Sequence, residues 1–436
     1  MTQTTSSLGT LRPPPVSLAW FTWGLLASLY FVGFFQRVAP AVMVDELMRD
    51  FGIAATMLGN LSAIYFYTYA AMQIPSGLLA DAVGPRRVAT AAAMAAVAGT
   101  VLFAQADTLW MASLGRGLIG ASVAVAFVAC MKLAGHWFPA NRFATVTGVS
   151  LLIGNLGGVL AGVPLSEAVA GFGWRNAMLA SAGVTLLLAI AVWLGVRNDP
   201  SERGYASHAH PEALNNGAMS PWRSLKIVVS ERDTWLLFLA GGLLAAPVLT
   251  FAGLWGVPYL VQVHGLERSH AAVFTTTMLL GFAVGGPLLG ALSDRMGRRK
   301  RPYLAVALVH AACWGAFLFV DALPVAAFYL LFAAIGFSAG GIIIGFAFAR
   351  EANHPGAAGT VGGVVNMAVL GFAAIQQSAM GWILDRNWQG VMRDGARVYD
   401  AAAYHAAFVW LLVGAVGAVL ALTRETCCRL RFDSGA

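Results

Sequence analysis

The sequence predicts an all-α membrane protein with twelve transmembrane helices in two pseudo-symmetric six-helix halves. Apolar residues make up 58% of the 436-residue chain and charged residues only 11%, against roughly 25% charged in a soluble domain. Apolar stretches of about 20 residues, enough to cross a bilayer, recur from end to end. One phrase also occurs twice. Gly77-Leu-Leu-Ala-Asp81-Ala-Val-Gly84-Pro-Arg86-Arg87 returns nearly half a chain later as Gly290-Ala-Leu-Ser-Asp294-Arg295-Met-Gly297-Arg298-Arg299-Lys300. A basic turn repeated once per half, between hydrophobic segments, points to a transporter built by duplication.

The elements follow in order. Residues 1–17 are polar and Pro-rich, with one Arg and no cleavage site, and are expected to be a cytoplasmic tail rather than a signal peptide. Six spans are expected at 18–40, 57–80, 88–105, 108–132, 143–168 and 174–196, making an N-terminal half over 18–196. Residues 197–232 are the longest polar stretch and read as a cytoplasmic linker. Within it, Pro221-Trp222-Arg223-Ser224-Leu225 suits the start of an interfacial helix. The C-terminal half, 233–423, holds spans at 233–262, 272–293, 302–320, 323–349, 358–383 and 402–423, and a short tail, 424–436, follows. Glycines four apart, such as Gly154/Gly158, Gly281/Gly285 and Gly286/Gly290, make flat helix faces for close packing.

The net charge of +7 raises the question of a nucleic-acid partner, and its distribution answers it. With a cytoplasmic N-terminus, 19 of the 27 basic residues fall in inner loops and tails and six in outer loops. The positive-inside rule then places both termini in the cytoplasm. The basic balance is a topology signal, and no nucleic-acid motif accompanies it. The bilayer is the expected environment, in an inner membrane, and the chain is expected to act as a monomer. Cys130, Cys313, Cys427 and Cys428 do not suit a disulfide framework, and no cofactor, metal site or catalytic group is expected.

Arg37 and Arg116 are the two basic residues placed within spans. Arg at a helix centre costs at least about 2.5–3.5 kcal/mol on insertion scales. Arg116 lies about 12 Å deep at 1.5 Å per residue. No span offers a carboxylate at mid-depth, and Glu167 and Glu351 sit near helix ends. Two buried cations without a resident acid suggest that the substrate is the anion. For Arg37 the competing reading is an interfacial snorkelling residue. For Arg116 it is a structural bond to backbone carbonyls. Tyr65 and Tyr69 share a helix face and are candidates to line the cavity, as are Asn155, Asn366 and Gln376; Gln377 is a further membrane polar group. Interhelical bonding competes with ligand contact for the amides. Trp255 and Tyr259, between Pro247 and Pro258, are candidates to close over substrate, with an interfacial anchor as the rival reading.

The repeated turns carry a gating reading through Gly77, Asp81, Gly84, Arg86 and Arg87, and through Gly290, Asp294, Arg295, Gly297, Arg298 and Arg299. Each Asp ends a helix beside the N-terminus of the next one. It meets a positive dipole end and nearby guanidinia there. Contacts of this kind can hold an inner gate and break when the halves rock.

The two Gly-x-x-x-Asp-x-x-Gly-x-Arg-Arg turns resemble the signature of the major facilitator superfamily, which lies between helices two and three and between eight and nine. Arg116-Gly-Leu-Ile-Gly120 and Gly173-Trp174-Arg175 also fit, and the resemblance covers residues 18–423. The first copy departs from it at Ala82, where the family usually has Arg. Phe35-Gln36-Arg37-Val38-Ala39-Pro40, Asp45-Glu46-Leu47, Gln73-Ile74-Pro75-Ser76-Gly77-Leu78 and His136-Trp137-Phe138-Pro139 look like the opening half of anion:cation symporters. That resemblance implies a substrate-carboxylate contact for Arg37 and a supporting role for Arg116. Such symporters often carry an acid seven positions after the fourth-helix Arg; this chain has Val123.

The expected function is secondary transport of a small organic solute, a carboxylate such as a sugar acid, dicarboxylate or amino acid, by alternating access, with a proton or sodium ion as candidate coupling ion. Drug or metabolite efflux on the same fold is the rival. An intramembrane hydrolase is the alternative of another class, because Gly336-Phe-Ser338-Ala-Gly340 fits a serine-nucleophile pattern. That reading needs His310 beside Ser338, and nothing in the sequence places it there.

Overall fold

The computed structural model describes residues 12–139, 142–208, 221–320, 324–354 and 357–424. Among these, eleven helical segments are long and apolar enough to cross a membrane. The remaining expected span, the second, is helical but broken into Ala55–Ala71 and Gln73–Val83. Pro75 accounts for the break: it has no N–H for the carbonyl of Ala71, and its ring would clash with it.

The first span is Val16–Val38, tightened at its end into the 3-10 turn Ala39–Val42 around Pro40. The third, fourth and sixth are Pro85–Ala104, Leu109–Trp137 and Trp174–Gly195; the fifth is Phe143–Leu160 and Val163–Phe172. The seventh is Arg232–Thr250, a π-helical stretch Phe251–Trp255, and Gly256–His264. Next come Arg268–Met296, Lys300–Phe319, the pair Val325–Ala339 and Ile342–Glu351, Ala358–Arg386 and Ala401–Arg424. Helix Pro221–Ser230 precedes the seventh span with Trp222 81% exposed, as an interfacial helix requires. Exposed apolar side chains such as Leu187, Leu194 and Leu330 mark the lipid face. Cys427 and Cys428 lie outside the described residues.

Helix contacts repeat with a shift of six. The first span packs on the fifth and the seventh on the eleventh; the second on the fourth and the eighth on the tenth; the third on the sixth and the ninth on the twelfth. The halves meet along two seams, second span on eleventh and eighth on fifth, which exchange under the same operation. The contact pattern thus shows the duplication that the repeated turns suggested.

Glycines set the approach of these helices. A Cβ at Gly336 would strike the carbonyl of Met278, and one at Gly285 the carbonyl of Phe337, so the eighth and tenth spans meet backbone to backbone. Gly59 and Gly381 do the same across the seam of second and eleventh spans, against the carbonyls of Gln377 and Ala55. The side of the molecule carrying residue 12, the connector 197–208 and the end of the twelfth span is here the terminal face. The opposite side, with helix Val44–Phe51 and the hairpin Met392–Arg393/Ala396–Arg397, is the far face.

Candidate functional site

The site begins with a proline. Pro40 cannot donate to the carbonyl four residues earlier, which leaves Gln36 with a free acceptor deep in the N-terminal half. Arg116 of the fourth span fills it, Nη1 donating to Gln36 O at 2.8 Å. The structural carbonyl partner considered for Arg116 therefore exists, yet it uses one donor of five. Arg116 Nε and Nη2 are buried with no hydrogen-bond partner.

Arg37 follows Gln36 in the last turn of the first span. It is 7% exposed. Its guanidinium carbon lies 4.2 Å from the Phe34 ring centroid and 5.3 Å from that of Tyr69. Arg37 Nε also has no partner. The Tyr65 ring lies 4.9 Å from the Arg116 guanidinium carbon, and its hydroxyl donates to Gly33 O at 2.8 Å. Tyr65 and Tyr69 do share a face, with ring centroids 6.0 Å apart. The arrangement is two guanidinia on an aromatic floor, held by cation–π attraction. Gln36 Nε2 donates to Thr100 and Ser181 and pins the first span to the third and sixth. Val123 packs against Gly33, where an added Cβ would meet it at 3.2 Å.

The other candidates bond to protein partners. Asn155 donates to Leu151 O of its own helix. Asn366 donates to Gln73 across the halves at 3.0 Å. Gln376 accepts from Thr250, and Trp255 Nε1 donates to Gln377 O at 3.2 Å. Tyr259 sits in an aromatic cluster with Phe251, Phe317, Tyr404 and Phe408, its hydroxyl 2.9 Å from His264 Nε2. The structure therefore gathers Arg37, Arg116, Tyr65 and Tyr69 into one cluster, while these five make polar or ring contacts with other residues.

The repeated turns are built as capped helix ends. Gly84 and Gly297 both have positive φ, 89° and 57°, which other residues rarely adopt. In the second copy, Arg299 donates to Asp294 at 2.6 Å and to both oxygens of Glu351 at 2.8–3.1 Å, tying the eighth, ninth and tenth spans. The Glu351 carboxylate raises the Arg299 pKa further. In the first copy Arg86 donates to Trp193 O and lies over its ring at 4.4 Å; Lys132 donates to Ala80 O. The Asp81 side chain lies outside what the structure describes. In the connector on the same face, burial pushes the Asp199 carboxyl up, but bonds from Ser201, Ser207 and His136 outweigh this and hold it at about 2.

One expectation is corrected. His310 does sit beside Ser338, Nδ1 to Oγ at 2.9 Å. Trp314 Nε1 donates to His310 Nε2 at 3.0 Å, so Nδ1 must carry the ring proton and donate to Ser338. Ser338 Oγ in turn donates to Ile335 O. The imidazole has no free lone pair to take a serine proton, and both residues are buried. The pair is an interhelical bond between the ninth and tenth spans.

A duplicated twelve-span bundle with two buried guanidinia defines a multi-pass membrane transporter. The model of the Major Facilitator Superfamily matches residues 26–376, and the chain belongs to that family. Among its relatives is the "Probable sulfoacetate transporter SauU" of Cupriavidus necator, 26% identical over 63% of this chain; the match spans 65% of that protein's length. A galacturonate transporter of Dickeya chrysanthemi is 26% identical over 63% of this chain and 80% of its own. Among solved structures, a bacterial homolog to the human lysosomal transporter Spinster, inward-facing and occupied, matches with TM-score 0.75. It covers 94% of this chain and 97% of that one at 18% identity, a likeness of fold.

Proposed function

We propose that this chain carries a small organic anion bearing a carboxylate, such as a sugar acid or dicarboxylate, across the inner membrane by alternating access. One observation carries the reading: Arg37 Nε and Arg116 Nε and Nη2 are three buried cationic donors without an acceptor. A buried unpaired donor is unfavourable by about 1–3 kcal/mol, more for a charged group, so a bound anion is the natural partner. Relatives named for sulfoacetate and galacturonate support an anionic substrate. The halves 18–196 and 233–423 are the rocking bodies, with both termini and the 197–232 linker in the cytoplasm. Asp81 and Asp294, with the glycines and arginines of their turns, serve the inner gate.

The test starts with a panel of carboxylates, sulfonates and drug-like cations scored by thermal stabilisation. Arg37 variants are then measured with the best ligand. Losing a charge-assisted hydrogen bond weakens binding by about 1.5–3 kcal/mol, roughly 10- to 150-fold. Arg37→Ala should show that loss. Arg37→Lys keeps the charge without the planar fork and should retain part of the affinity. Wild-type affinity in folded Arg37→Ala, or stabilisation by drug-like cations alone, would move the efflux reading ahead.

A further inference from the structure

We propose that Asp385, at the far end of the eleventh span, is a latch that holds the far face of the transporter shut. The helix Ala55–Ala71 of the second span begins at Ala54, which has no side chain able to cap it. Its first N–H groups are therefore orphaned. The cap comes from the other half. Asp385 Oδ1 accepts from Ala55 N at 3.2 Å, and Oδ2 accepts from Thr56 N at 2.8 Å and from the Thr56 hydroxyl. A carboxylate on the N-terminus of a 17-residue helix also meets the positive end of its dipole.

The geometry behind the contact is specific. Gly381, one turn before Asp385, lies against the carbonyl of Ala55, where a Cβ would not fit. This close approach brings the carboxylate within reach of the second-span N–H groups. Asp385 is then held from its own half: Tyr399 donates to it at 2.7 Å and Arg397 at 3.2 Å, Arg397 lying over the Trp388 ring at 4.1 Å. The hairpin between the eleventh and twelfth spans thus acts as a bracket that aims Asp385 across the seam. Arg268 on Glu46 at 2.6 Å and Gln262 on Asp45 at 3.4 Å bridge the same face nearby.

Every bond from Asp385 to the second span breaks if the halves part at the far face, so the carboxylate favours the far-closed state by its differential contacts alone. The proposal uses the rocking of two halves and is independent of which solute binds at Arg37.

The experiment reads the gate directly. In a background with Cys130, Cys313, Cys427 and Cys428 replaced by Ser, Val42→Cys is the reporter. Val42 is 1% exposed in the turn Ala39–Val42, which packs on Phe251–Trp255 of the opposite half. Ala129→Cys, buried wholly within the N-terminal half, is the control. Labelling by a hydrophilic thiol reagent is timed on purified protein. Asp385→Asn should speed labelling of the reporter thiol roughly 10- to 150-fold, the equilibrium shift for losing a hydrogen bond to a charged group, and leave the control thiol unchanged. Tyr399→Phe, which loosens the bracket and removes the hydroxyl that accepts from Ala55 N at 3.2 Å, should speed reporter labelling by roughly 2- to 10-fold. If Asp385→Asn does not fold, Thr56→Val and Tyr399→Phe carry the test. Unchanged reporter labelling in the folded variants overturns the latch. So does an equal rise at the control thiol, which would mean general loosening.

Discussion

At the scale of single residues, backbone chemistry decides what the polar groups in this membrane can do. Pro40 frees one carbonyl, Arg116 takes it through Nη1, and the other two nitrogens of that guanidinium stay unpartnered, as does Nε of Arg37. The Ser338–His310 pair shows the opposite outcome. Every lone pair and proton that would make it reactive is taken, by Trp314 on one side and Ile335 on the other. The consequence is a prediction that separates structure from chemistry. Ser338→Ala leaves the buried Nδ1–H of His310 without an acceptor. That should destabilise the protein by about 1–3 kcal/mol, seen as a lower midpoint of thermal unfolding in detergent. Transport by the variant that still folds should stay within a few-fold of wild type. An unchanged midpoint would mean that the bond contributes nothing to the fold.

At the scale of helices, breaks and glycines explain why twelve apolar stretches form this bundle. Pro75 splits the second span, Gly340 and Gly341 separate the two helices of the tenth, and a π-helical stretch follows Pro247 in the seventh. The tenth span touches the eighth at Gly336, where the carbonyl of Met278 leaves no room for a side chain. Gly336→Val should force the two backbones apart and sharply lower the yield of monodisperse protein on size exclusion. Gly315→Ala, in open space, should not. Normal yield and stability in Gly336→Val would show that the eighth and tenth spans can repack. The spans themselves were legible in the sequence because hydrocarbon demands about 20 apolar residues whatever the neighbours. Arg37 and Arg116 were legible for the same reason, since a cation inside a span calls for a partner. Helix neighbours were not. Asp385 reads as the polar end of a helix, and its second-span partners stand 329 and 330 positions away. His310 and Ser338 sit on different helices that only packing brings together. Asn366 and Gln376 are polar in the sequence, and only the fold gives each its protein partner, whereas Asn155 bonds within its own helix.

At the scale of the whole molecule, charge placement predicts one orientation. Among the described residues, polar links between the halves include those of Asp385, Arg268 and Gln262 at the far face and Asn366 on Gln73. Twelve crossings, an even number, return the chain to the side on which it began. The terminal side carries 19 of the 27 basic residues and the far side six, so the terminal face should be cytoplasmic. Two exposed positions test this. Ser201 lies in the connector on the terminal face, and Gln389 lies beside the far hairpin. In a background with the four native cysteines replaced by Ser, Gln389→Cys should react with an impermeant thiol reagent added to intact cells. Ser201→Cys should react only after the membrane is permeabilised. Labelling in the reverse order would invert the topology. It would also turn the Asp385 latch into an inner gate and move the Asp294–Arg299–Glu351 cluster to the outside.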